Sequence, residues 1–122
     1  MIKEWKKKSS KYLLENKIFK LREDIVESPK LETEHKVWAM EVPTWVNIIP
    51  ITSLGEVILV NQYRFGMEKF SLEIPGGMSD IGEDPMLAAT RELKEETGYV
   101  GKKVLEIGRV ESNPAIMSNL SL

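Results

Sequence analysis

The sequence predicts an α+β fold. Short apolar runs typical of β-strands fill the first half of the chain, a glycine-rich loop follows at Gly76-Gly77, and one helical segment comes after that loop. Of the 122 residues, 42% are hydrophobic and 30% are charged, a composition that indicates a soluble globular protein. We therefore expect a single domain over residues 1–122, made of a β extension at 1–42 and a core at 43–122.

Charge and composition exclude several classes of partner. The net charge of −2 gives no electrostatic reason to expect nucleic acid. The chain has no cysteine, which fits a reducing cytoplasm and leaves no disulfide or thiol chemistry. No apolar run is long enough to cross a bilayer, and no signal-peptide core follows the N-terminal lysines. We expect a cytoplasmic protein with no membrane or nucleic acid partner.

The first 42 residues predict a small antiparallel β layer. Its β-like runs lie at 12–14, 18–21 and 25–26, with the charged residues 22–24 as a break. The lysine-rich residues 1–10 predict a solvated terminus rather than a basic arm for nucleic acid.

Further strands are predicted on both sides of the glycine-rich loop. Residues 37–42 and 45–51 predict two strands joined near Pro43. The four consecutive apolar residues within 56–64 predict a strand buried on both faces, and 104–110 predicts another strand after the helix.

The helix has local start and stop signals. Asp84 suits the N-cap, Pro85 suits the first helical position, and Gly98 suits the left-handed position just past the end. At 100° per residue, one apolar stripe and one acidic flank lie side by side. The stripe holds Met86, Ala89, Thr90, Leu93 and Thr97, and the flank holds Glu92, Glu95 and Glu96.

The acidic flank is electrostatically unfavourable by itself. Acids in the last helical turn cost roughly 0.3–1 kcal/mol each against the helix dipole. A bound Mg²⁺ would reverse this effect, because it favours hard oxygen ligands. The alternative is a solvated face on which Arg91 and Lys94 alternate with the acids. The glycines at 76–77 favour the metal hypothesis, since they let backbone approach a ligand closely.

Together these residues form a long, fixed pattern. Gly77, Glu83, the run Arg91-Glu92-Leu93, the pair Glu95-Glu96 and Gly98 stand at spacings that resemble the Nudix box of diphosphate hydrolases, with Tyr99 where an aliphatic residue is usual. The resemblance implies an α/β/α sandwich with a mixed sheet. Residues 62–64, 72–77 and 113–115 resemble the ADP-ribose pyrophosphatase branch, which implies an N-terminal β layer and a homodimer.

The resemblance also implies roles for individual residues. Mg²⁺, with Mn²⁺ as the alternative, would be held by Glu92, Glu95, Glu96 and the Gly76 carbonyl, with Arg91 and Glu83 orienting these acids. Gly77 and Arg64 would contact the substrate. A guanidinium can bind a diphosphate through its planar fork of donors, although a surface salt bridge is the other explanation for Arg64.

Such hydrolases continue beyond the equivalent of Leu122 with more strands, a second helix and a catalytic glutamate, so we expect a C-terminally truncated core that dimerises or is poorly stable. Three functions stay open. The first is Mg²⁺-dependent hydrolysis of ADP-ribose to AMP and ribose 5-phosphate. The second is hydrolysis of a related compound such as NADH or a sugar nucleotide, and the third is nucleotide binding without turnover.

Overall fold

The computed structural model describes residues 3–122, which divide into two compact units. The first unit comprises the described residues up to Pro43 together with Glu111–Asn119. The second comprises Thr44–Val110 and Leu120–Leu122. Within residues 3–122, no helix is long and apolar enough to cross a membrane.

The first unit contains a three-stranded antiparallel sheet in the order β1-β2-β3. Its strands are β1 (Lys6–Glu15), β2 (Lys20–Glu27) and β3 (Glu34–Glu41). The turn between β1 and β2 is closed by Asn16, whose side-chain oxygen accepts hydrogen bonds from the backbone N–H groups of Ile18 and Phe19. The antiparallel layer predicted from the sequence is therefore present.

One detail of that prediction is wrong. Residues 22–24 do not break the strand, because their charges find partners inside the sheet. Asp24 is buried in β2 and accepts hydrogen bonds from the Ser10 hydroxyl and the Arg22 guanidinium. The lysine-rich opening is solvated, as predicted, since Lys6 to Ser10 are all exposed. These residues also form the first half of β1, where Lys8 pairs with Glu27 across the sheet.

The second unit combines a mixed sheet, a hairpin and a helix. The sheet has the strand order β7-β4-β9-β8, in which β4 pairs antiparallel with β7 and parallel with β9. The hairpin is formed by β5 and β6. The elements are β4 (Trp45–Asn47), β5 (Val60–Arg64), β6 (Lys69–Glu73), β7 (Gly76–Met78), α1 (Pro85–Thr97), β8 (Val110–Glu111) and β9 (Leu120–Ser121).

Three predicted strands are too long. The strand expected over 56–64 begins only at Val60, and Val57 and Leu59 are about half exposed rather than buried on both faces. The strand expected over 45–51 ends at Asn47, and only Val110 of 104–110 is in a strand. Within residues 3–122, β5 pairs with β6 alone, so its residues alternate between half-buried and exposed.

The helix begins and ends as predicted. The Asp84 carboxylate accepts hydrogen bonds from the N–H groups of Met86 and Leu87, at 2.9 and 3.2 Å. Gly98 adopts a left-handed φ of 76° and donates its N–H to the Lys94 carbonyl. The buried residues are Ala88 and Leu93, so the apolar stripe is centred away from the predicted Ala89.

Candidate metal and diphosphate site

Strand β7 runs close beneath helix α1. A Cβ atom added to Gly77 would overlap the Glu92 carboxylate, and one added to Gly76 would overlap the carbonyl oxygen of Val46 in β4. Any side chain at these two positions would therefore displace backbone or a site carboxylate. The sequence predicted a loop at Gly76-Gly77, but both glycines lie in strand β7, paired with β4. They fix how near this strand lies to the acidic flank of the helix.

Both carboxylate oxygens of Glu96 are held by neutral donors. The N–H of Gly76 donates to Oε2 at 3.0 Å, and the side-chain amide of Gln62 donates to Oε1. Within residues 3–122, Glu96 has no lysine or arginine partner in an ion pair. Its negative charge is therefore oriented but not neutralised.

Arg91 connects three acids, Glu83, Glu92 and Glu95. Its guanidinium makes two hydrogen bonds to Glu83, at 3.0 and 2.9 Å, and contacts Glu92 at 2.7 Å and Glu95 at 3.3 Å. It also donates to the carbonyl of Met78, at 3.1 Å. These bonds connect the end of β7, the loop and the helix through one side chain.

The charge on Arg91 changes the acidity of its main partner. Hydrogen bonds from Arg91, helped by the backbone N–H of Asp80, lower the pKa of Glu83 to about 2. The same bonds to Glu83, followed by those to Glu92, raise the pKa of Arg91 above its ordinary value. Both groups are therefore charged across the physiological pH range.

The three helix acids differ in exposure. The side chain of Glu92 is 13% exposed, whereas that of Glu95 is 59% exposed. The solvated-face alternative thus describes Glu95, which pairs with Arg91 one turn earlier, but it does not describe Glu92 or Glu96. Among residues 3–122, no three acids or histidines are gathered closely enough to form a metal-binding group.

The donor chemistry nevertheless fits a hard divalent cation. One guanidinium contacts three carboxylates, and the carboxylate of Glu96 accepts a hydrogen bond from Gly76, next to the glycine that packs on Glu92. The four carboxylates present oxygen atoms, the ligands that Mg²⁺ prefers. The backbone of Gly77 packs directly on the Glu92 carboxylate, which leaves no room for a side chain between β7 and Glu92. The cluster therefore has an excess of negative charge that a cation would compensate.

Arg64 lies on the half-buried face of β5 and is held by Glu73 of β6. The guanidinium binds both carboxylate oxygens, with its shortest contact at 2.6 Å. These hydrogen bonds, together with one from Ser71, lower the pKa of Glu73 to about 2. Hydrogen bonds to Glu73, and to a smaller extent the charge of Glu96, raise the pKa of Arg64.

Two site residues were missed by reasoning from the sequence. Gln62 and Glu73 belong to motifs noted there, but neither was assigned a role. The two-residue period of a strand could have found Gln62, because it places Gln62 and Arg64 on the same face of β5. No local signal indicates that Gln62 reaches a helix residue 34 positions away.

The segment around Pro114 belongs to the first unit rather than to the helix and loop. It lines a cavity of about 320 Å³ together with Arg22 of β2 and Ala39 of β3. Near this cavity the N–H of Met40 donates to the carbonyl of Ile116, at 2.7 Å.

Comparison with known proteins agrees with this geometry. The model of the NUDIX domain matches residues 43–118, which is more than half of the chain. The chain belongs to the Nudix family. A second model, the nucleoside diphosphate sugar hydrolase N-terminal domain, matches residues 5–30 of the antiparallel layer.

Relatives of this Nudix chain include a methanol dehydrogenase activator from Bacillus methanolicus. The two are 40% identical over 71% of this chain and 46% of that protein. An ADP-ribose pyrophosphatase from Bacillus subtilis (strain 168) is 37% identical over 64% of this chain and 42% of that protein. The chain thus spans less than half the length of these relatives.

The fold of the chain matches that of a solved structure. The crystal structure of an ADP compounds hydrolase superimposes with a TM-score of 0.87, covering 99% of this chain and 65% of that chain at 24% sequence identity. The similarity confirms the predicted α+β Nudix fold.

Proposed function

We propose that this chain carries the catalytic helix and loop of a hydrolase that cleaves the diphosphate bond of an ADP-linked compound, with ADP-ribose as the expected substrate and AMP and ribose 5-phosphate as products. The observation that carries the proposal is the packing of the Gly76-Gly77 backbone on Glu92 and Glu96. The names of relatives, ADP-ribose pyrophosphatase among them, support the substrate class.

The metal would be Mg²⁺, or Mn²⁺ in its place. The residues that would hold it are Glu92, Glu95, Glu96 and the carbonyl of Gly76. When bound, such an ion neutralises diphosphate charge and lowers the pKa of a bound water. We assign Arg91 and Glu83 to orienting Glu92, because the guanidinium bridges these two acids.

Arg64 would bind the diphosphate. Its Nε and Nη2 atoms are occupied by Glu73, and Nη1 has no partner among residues 3–122. The contact with Glu73 fixes the plane of the guanidinium, so Nη1 is available as a charged donor to a phosphate oxygen. Gly77, which has no side chain, would let the diphosphate approach the backbone of β7.

The proposal is tested with a panel of ADP-ribose, NADH, ADP-sugars and dinucleoside polyphosphates, in the presence of Mg²⁺. Products are identified by chromatography. We expect release of AMP that depends on metal and is lost in Glu96→Gln. The matched control is Glu68→Gln, which changes an exposed glutamate in the turn between β5 and β6 and should keep wild-type turnover. No turnover of any of these compounds would overturn the proposal.

A second function is favoured by one observation. The carboxylates of Glu92, Glu95 and Glu96 are bound by Arg91, Gln62 and Gly76 rather than gathered as a metal-binding group among residues 3–122. That arrangement fits a module that binds nucleotide without hydrolysing it. Calorimetry that detects ADP-ribose binding, while the panel detects no product, would support this alternative. Absence of binding would exclude it.

Homodimer formation and a cytoplasmic location remain predictions. The dimer is supported by large apolar side chains that are about half exposed in the first unit, namely Trp5, Tyr12, Leu13, Leu14 and Trp38.

A further inference from the structure

Strand β5 supplies a side chain that points at the last acid of the helix. Gln62 is half-buried, on the same face as Arg64, and its amide contacts Oε1 of Glu96. A carboxylate only accepts hydrogen bonds, so the nitrogen of the amide must face Glu96 and the amide oxygen must face away. The direction of this hydrogen bond therefore follows from the chemistry of the two groups.

The partners of Glu96 also limit how its side chain can turn. Gly76 holds Oε2 from the backbone of β7, and Gln62 holds Oε1 from β5. Two donors on separate strands fix both the position and the rotation of the carboxylate plane. Each oxygen has a second lone pair, so these bonds leave Glu96 able to bind a cation.

Glu96 differs in this respect from the other helix acids. Glu92 and Glu95 are paired with the charged Arg91, whereas the donors to Glu96 carry no formal charge. A neutral donor orients a carboxylate without cancelling its charge. A cation at the site would therefore meet a carboxylate that forms no ion pair with lysine or arginine among residues 3–122 and that is held in a fixed orientation.

We propose that Gln62 is a positioning residue that holds Glu96 for a divalent cation. This inference rests on the proposed function for its metal step. Groups that orient a metal-binding side chain typically change metal affinity or activity by about 10- to 100-fold when they are removed. Gln62 acts through Glu96 and needs no contact of its own with the metal or the substrate.

The test compares two isosteric variants on one strand. Gln62→Met removes the donor and keeps the shape, while Asn61→Leu makes the matched change at the neighbouring exposed position. Mn²⁺ binding is measured without substrate, by electron paramagnetic resonance. We expect the dissociation constant to rise at least about 10-fold in Gln62→Met and to stay within about 2-fold of wild type in Asn61→Leu. Steady-state turnover at saturating Mn²⁺ should recover most of kcat in Gln62→Met, because added metal offsets weaker binding.

A second measurement tests the same contact without any substitution at Gln62. The side-chain amide signal of Gln62 in nuclear magnetic resonance spectra should shift in Glu96→Gln and remain in place in Glu95→Gln. Unchanged Mn²⁺ affinity in Gln62→Met, or an amide signal that ignores Glu96→Gln, would overturn this inference alone. A wild-type chain that binds no Mn²⁺ would overturn the proposed metal site and this inference together.

Discussion

At the scale of single residues, Gly77 controls how closely strand β7 approaches helix α1. A methyl group there would overlap the carboxylate of Glu92. Relief of the overlap would move the charged end of a side chain that Arg91 also holds. The absence of a side chain at Gly77 is therefore a structural requirement of the site, in addition to any contact with substrate.

We predict that Gly77→Ala disrupts the site. Overpacking of this kind costs about 1–3 kcal/mol in the free energy of unfolding. Thermal or denaturant unfolding measures that cost, and the displaced Glu92 should also lower metal affinity. The control is Gly66→Ala, because a Cβ there meets no atom within 4 Å. Equal stability of the two variants would show that the Glu92 carboxylate moves aside freely.

The pairs of Arg64 with Glu73 and of Arg91 with Glu83 make stability depend on acid pH. The ordinary pKa of these glutamates is 4.5, and the folded values are lowered to about 2. A lowered pKa stabilises the folded state above the unfolded value, and that contribution is lost as pH falls from about 4.5 toward about 2.

We therefore expect the free energy of unfolding to fall as pH is lowered through that window. The fall should be shallower in the double variant Glu73→Gln/Glu83→Gln, because neither amide takes up a proton as the pH is lowered. Denaturant titrations between pH 2 and pH 6 measure the slope. Glu68→Gln serves as the control, and a double variant with the wild-type slope would contradict the assignment.

At the scale of elements, the helix depends on its caps. Asp84 satisfies the N–H groups of two residues in the first turn, so Asp84→Ala should destabilise the protein by about 1 kcal/mol. Unfolding measurements test this, with Asp80→Ala as the control in the same loop. Because the helix carries Arg91, Glu92 and Glu96, we expect metal affinity to fall in parallel with stability in Asp84→Ala.

The elements also show which features a sequence can predict. The helix was predicted with its N-cap and its glycine end because capping groups lie within a few residues of the backbone they satisfy. The strand over 56–64 was predicted too long, since a run of apolar residues does not specify a pairing partner, and β5 pairs only with β6 within residues 3–122. The acids and glycines of the candidate site were proposed because they resemble the Nudix box.

Contacts between distant residues could not be predicted in the same way. A salt bridge was the alternative stated for Arg64, but its partner Glu73 on the neighbouring strand was not identified. The bond from Gln62 to Glu96 joins a strand to a helix. Each depends on which side chains the folded backbone brings together. The burial of Ala88 in place of Ala89 likewise reflects the face on which the helix packs against the sheet.

At the scale of the whole molecule, strand β1 has an open edge. It pairs only with β2 among the described residues, and every residue from Lys6 to Glu15 is exposed. Lysines in its first half discourage pairing with another strand, whereas Tyr12, Leu13 and Leu14 lack that protection. Association of two chains would cover these side chains.

We expect sedimentation analysis to show a dimer whose dissociation constant rises at least about tenfold in Leu14→Lys. Burying a leucine is worth about 1.5–3 kcal/mol, and 1.4 kcal/mol corresponds to a factor of ten in affinity. Leu54→Lys, which places the same charge at an exposed loop position of the second unit, is the control and should sediment as wild type does. A stable, monodisperse wild-type monomer would contradict dimer formation. A dimer unaffected by Leu14→Lys would place the interface away from the C-terminal half of β1.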